Sequence, residues 1–173
     1  MARSLAIPRL PAAISAAVAR HWPLAVLLFS VLCLIVAEFL TLREIRAVTA
    51  VPAGGITKGG AHHGYALAVI GVAALPMAVG AARGGSRPAA VAVTVLGAVA
   101  LLIVLVADLP ALNEEGIIGR TYDQAKAHPG AGFWVELVGA AGLLGGGLAL
   151  LRRTAARPVR RRRRPRRAAP TEA

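Results

Sequence analysis

The sequence is poor in charge, in aromatic side chains and in cysteine. Charged residues make up 16% of it and Phe, Trp and Tyr only 4%, whereas about a quarter of a soluble domain is charged. A globule with an ordinary water-facing surface is therefore excluded. The single cysteine, Cys33, excludes an intrachain disulfide, a paired-thiol redox centre and a multi-cysteine zinc cluster. It sits in an apolar run and reads as a small core residue. Lysine occurs only at Lys58 and Lys126. That scarcity, beside abundant Arg, Ala and Gly, suits a GC-rich bacterial genome and so a bacterial plasma membrane. There is no HExxH, Walker or paired CxxC spacing, and no serine, threonine or cysteine has a recognisable base beside it. Neither a catalytic residue nor a cofactor-binding residue is expected.

What the chain has instead is apolar length. Hydrophobic residues are 57% of the 173, and the mean hydropathy is +0.65. A helix crossing a bilayer needs about 20 such residues in a row, and the sequence supplies four runs, at about residues 23–42, 63–82, 89–109 and 131–151. Before the first run, Pro11 opens a short helix in an N-terminal segment, residues 1–22, that leads into the membrane. Pro76 lies within the second run as a tolerated kink, and Pro110 closes the third because it cannot donate to the helical ladder. Two polar loops separate the first run from the second and the third from the fourth. The expected fold is an all-α integral membrane four-helix bundle.

Orientation follows from the Lys and Arg flanks, which are enriched on the cytoplasmic side. Fifteen of the 20 lie in the N-terminal segment, the turn at residues 83–88 and the C-terminal tail, against five in the two polar loops. Both termini are therefore expected to be cytoplasmic. Ten of the fifteen lie beyond Leu151, so the tail decides the count. The tail itself, residues 152–173, carries the arginine run from Arg160 to Arg167 interrupted by Pro165. Like charges and proline keep such a segment from folding on itself. Beside a membrane it is expected to bind anionic lipids, at about 1 kcal/mol per basic residue, with nucleic acid the lesser partner and a homo-oligomer or another membrane protein a further one.

With the ends inside, the four runs bring Glu38, Asp108, Glu136, His62 and His63 to one level near the outer interface. Charge within a membrane is costly and faces a bundle interior, a cavity or a partner. The three carboxylates are thus expected to point inward, with Arg43 and Arg46 as partners for Glu38. Lying close to the helix ends, they read first as groups that simply reach water. On that reading the chain is a structural or accessory membrane component. The alternative is a small transporter or ion-handling protein using this layer, with His62 and His63 as candidate metal ligands, since imidazole and carboxylate suit zinc or copper. Adjacent residues diverge by about 100° on a helix, so joint ligation by that pair requires a loop conformation there. His128 reads as a solvated loop residue.

Overall fold

The computed structural model describes residues 12–46, 56–112 and 126–156. Helix α1, Ala12–Ala37, starts directly after Pro11 and runs unbroken through Pro23. The short N-terminal helix and the first apolar run are therefore one element. A turn at Glu38–Phe39 then leads into strand β1, Thr41–Arg46. The first run thus ends as a helix at Ala37 and not at Leu42. Strand β2, Ile56–Lys58, feeds the one-turn helix α2, Gly59–His63, and α3 follows over Ala66–Gly84. Gly85 in the left-handed region ends α3, and Ser86 opens the next helix by accepting from the Ala89 N–H, a standard N-cap.

Helix α4, Arg87–Ile103, continues into a π-helical turn, Val104–Asp108, and a last α-turn, α5, Leu109–Ala111. Pro110 offers no N–H to the carbonyl one turn back, and the ladder opens just before it. Strand β3, Lys126–Pro129, precedes the final helix α6, Ala131–Ala155. Arg152 and Arg153, assigned to the tail on sequence, are the last turn of α6. The expected disorder of the tail concerns residues 157–173, outside the described residues.

The chain is mostly helical. Helices α3, α4 with its continuation to Ala111, and α6 are each long and apolar enough to cross a membrane, while the apolar part of α1, His21–Ala37, is shorter. Helix α1 packs on α6 and α3, and α4 packs on the same two from the other side. Small residues set these distances, as is usual where helices gain little from hiding apolar surface from lipid. A Cβ on Gly147 would lie 2.9 Å from the Thr94 backbone nitrogen, and one on Gly139 3.0 Å from the Cys33 Cβ. The faces turned away from these contacts carry Phe29, Leu32, Val72, Val95, Leu102, Val106 and Val138, all exposed, an apolar exterior that suits lipid.

The two polar loops hold a feature that hydropathy does not announce. Their strands form an antiparallel sheet in the order β2-β1-β3. Glu44 lies opposite both Ile56 and His128. The sheet roofs one end of the helices: Leu42 is buried beneath it, and its carbonyl accepts from the Gly130 N–H at 2.8 Å, just before α6 begins.

Candidate cation site

Under that roof lie four ionisable side chains from four elements. Glu38 comes from the turn after α1, His63 from the end of α2, Asp108 from the π-turn and Glu136 from the second turn of α6. All three carboxylates are buried, with residue exposures of 2%, 0% and 1% for Glu38, Asp108 and Glu136.

Local structure accounts for each position. Helix α2 is seated by its first two residues: the Gly60 N–H donates to the Glu38 carbonyl at 2.9 Å and the Gly59 N–H to the Leu40 carbonyl at 3.3 Å. Any side chain on Gly60 would strike the Tyr65 ring. Gly64 and Tyr65 both take the left-handed conformation, at φ 60° and 64°. Such a backbone is strained for a bulky residue and recurs at functional sites. This sharp bend breaks the second apolar run before α3, so His62 and His63 stand on a separate short helix. Their imidazole rings meet edge-on with centroids 4.9 Å apart, and both reach one carboxylate. The loop conformation expected for shared ligation is not found: both histidines lie within helix α2, and the bend after it, not a loop at the pair, lets both rings reach one carboxylate.

His63 Nε2 lies 2.6 Å from Asp108 Oδ1 and 3.6 Å from Glu136 Oε1, while His62 Nε2 lies 3.5 Å from the same Asp108 oxygen. The other imidazole nitrogen, His63 Nδ1, faces Glu38 Oε2 at 3.8 Å. Glu38 Oε1 is engaged elsewhere, accepting from the Leu67 N–H at 3.0 Å and the Ala68 N–H at 3.3 Å. It caps the otherwise unpaired N–H groups at the start of α3. Arg43, expected as a partner of Glu38, donates through Nη1 to the Ala111 carbonyl at 2.7 Å and ties β1 to the end of α5. His128 is exposed on β3.

Four buried polar atoms in this cluster make no hydrogen bond: Glu38 Oε2, His63 Nδ1, Asp108 Oδ2 and Glu136 Oε1. Buried polar groups are satisfied in the great majority of cases, so four orphans in one cluster ask for an explanation. The electrostatics point the same way. His63 lies outside α3. Burial opposes its charging, but the Asp108 hydrogen bond and the fields of Asp108, Glu136 and Glu38 outweigh it and raise the imidazole above its ordinary range. The surroundings of the cluster thus favour positive charge.

The opposite end of the helices has the reverse character. A cavity of about 490 Å³ there is lined by His21, Arg83 and Arg153 together with apolar residues and Thr154, and no carboxylate is among its lining residues. The Arg153 guanidinium stacks 5.5 Å from the Trp22 ring centroid, a cation–π contact.

The chemistry available to the acid–histidine cluster is cation binding, since carboxylate oxygen and imidazole nitrogen are donors to hard and borderline metal ions alike. Sequence reasoning found every member of the cluster, because charge stands out in an apolar run. It missed that Glu38 spends one oxygen on a helix cap and that a π-turn carries Asp108. Compared with known proteins, the chain matches no protein-family model, no curated protein and no solved structure.

Proposed function

We propose that the chain is a four-span membrane protein with both ends in the cytoplasm, and that it binds a cation in the acid–histidine cluster at its outer end. The observation that carries this reading is the burial of three carboxylates around one imidazole with four polar atoms unpartnered. Buried charges are paired or hold metals, because an uncompensated one costs about 3–5 kcal/mol.

A structural or accessory role has one supporting observation, the Glu38 cap on α3. It accounts for one oxygen of one residue and leaves Asp108 and Glu136 unexplained. The basic lining of the opposite cavity and the arginines of residues 160–167 support cytoplasmic placement of that end in a plasma membrane and contact with anionic headgroups.

The orientation has its own test. In a Cys33→Ala background, His128→Cys is expected to react with a membrane-impermeant thiol reagent added to intact cells, and Ser86→Cys only after lysis. Labelling of Ser86→Cys in intact cells inverts the topology.

The function is tested by thermal unfolding of the purified protein in detergent, with sodium, calcium, magnesium or zinc chloride added after chelator treatment. A ligand that binds only the folded state at a hundredfold excess over its Kd stabilises it by about 2.7 kcal/mol. The midpoint is expected to rise with the concentration of at least one of these cations, and the rise to vanish in Glu136→Gln. A midpoint indifferent to all four contradicts the reading.

A further inference from the structure

We infer that the cation is a divalent transition metal of the zinc class, held by His63 Nε2, His62 Nε2, Asp108 and Glu136, with Glu38 as an outer carboxylate that orients His63. This rests on the cation-binding reading and assigns its chemistry. Three sets of observations carry it.

The first is the donor set. Ligand atoms of His62, His63 and Asp108 all lie within 4.8 Å of one another, and Glu136, outside that group, brings Oε1 to 3.6 Å from His63 Nε2. Bonds of about 2.0–2.1 Å to a tetrahedral zinc ion place neighbouring donors about 3.4 Å apart. The separations His63–Glu136, 3.6 Å, and His62–Asp108, 3.5 Å, match such edges. The His63–Asp108 hydrogen bond, 2.6 Å, is shorter than such an edge and opens as the metal replaces the shared proton, which leaves to water. Two nitrogens favour a borderline ion over calcium or magnesium, which take oxygen donors, six or more of them in a calcium site.

The second is the arrangement behind the ligands. A metal-bound histidine nearly always turns its other ring nitrogen to a carboxylate or carbonyl, which fixes the tautomer. His63 Nδ1 faces Glu38 Oε2, both buried and both without another partner. Glu38 is itself anchored through Oε1 to the start of α3. The four orphaned atoms are thus divided between the ligand carboxylates, Asp108 Oδ2 and Glu136 Oε1, and the orienting pair, whose 3.8 Å separation closes by about 1 Å to reach hydrogen-bond length.

The third is access and placement. His62 is the only one of the five whose residue is exposed, its side chain 32% accessible against 0–5% for the others. It stands where an ion arriving from the outer side meets the cluster first. Asp108 is delivered by a π-turn, an irregularity found preferentially at functional sites.

The test is equilibrium dialysis of the chelator-stripped, detergent-solubilised full chain against zinc chloride, with cobalt(II) chloride as a spectroscopic probe. One zinc per chain is expected, and cobalt is expected to show the intense visible bands of a four-coordinate site. Asp108→Asn and His63→Gln are expected to lose the metal, and His62→Ala to weaken binding. Glu38→Gln is expected to lower affinity about 10–100-fold, as loss of an outer carboxylate does, without changing the cobalt band shape. His128→Ala is the control and keeps full occupancy. Zinc binding that survives His63→Gln, or a six-coordinate cobalt spectrum in the wild-type chain, overturns the assignment whether or not other variants fold. A Glu136-dependent response to sodium or calcium without zinc binding overturns it too while leaving cation binding intact. Absence of any cation response removes both.

Discussion

Glu136→Leu is expected to make the chelator-treated protein more stable than the wild type while abolishing its response to zinc. Glu136 Oε1 is buried and makes no hydrogen bond, in a cluster that already holds Glu38 and Asp108. Glu136 is the third acid beside one imidazole, and its loss leaves His63 its Asp108 hydrogen bond; replacing whole buried ionic clusters by apolar residues is often neutral or stabilising, by about 1–4 kcal/mol, and sites kept for function commonly carry such a cost. Leucine fills nearly the same volume between α6 and the roof. If the cluster existed to hold the helices together, the same change would break a network and lower the midpoint. The sign of the shift in chelator therefore separates a binding site from a structural ion network.

Glu38→Leu is expected to do the opposite and to have the largest destabilising effect of any change in the cluster. Its Oε1 accepts from the Leu67 and Ala68 N–H groups, and Leu67 is fully buried. A buried donor left without a partner costs about 1–3 kcal/mol, and the bond to Ala68 is the longer of the two, so a loss of about 2–4 kcal/mol is expected. Glu38→Gln retains a carbonyl oxygen for the cap and is expected to recover most of this. Thermal unfolding in chelator measures both. Equal losses for Leu and Gln would show that charge, and not capping, is what Glu38 contributes to the fold.

Two acids at one level of the same bundle thus have opposite expected effects, and the sequence alone does not separate them. Hydropathy locates a carboxylate in an apolar run because a single charge interrupts an otherwise monotonous signal, and for that reason Glu38, Asp108 and Glu136 were all legible. The other three long helices were legible for the same reason, with bounds shifted by a few residues, whereas the first run's helix starts at Ala12 and gives way after Ala37 to the turn into β1. The sheet was not. TLREIR, the β1 segment, carries three charges in six residues, and only its pairing with β2 and β3 on either side satisfies its backbone, a tertiary condition that no local pattern states. The bend at Gly64 and Tyr65 was hidden because HGYALAV reads continuously as apolar helix. A left-handed tyrosine is imposed by the seating of α2 on the turn after α1. The π-turn at Val104–Asp108 was marked only indirectly, by Pro110 two residues on. The histidine pair was named as a metal candidate from residue type. What made shared ligation feasible was the short helix, which the sequence presents as part of a span.

The most direct test of the account is X-ray absorption at the zinc edge of the purified, zinc-loaded chain. Four nitrogen and oxygen scatterers at about 2.0–2.1 Å are expected, with the outer-shell pattern of two imidazoles, one of which disappears in His62→Ala. A shell of oxygens alone at octahedral distances, or a sulfur scatterer from Cys33, would contradict it.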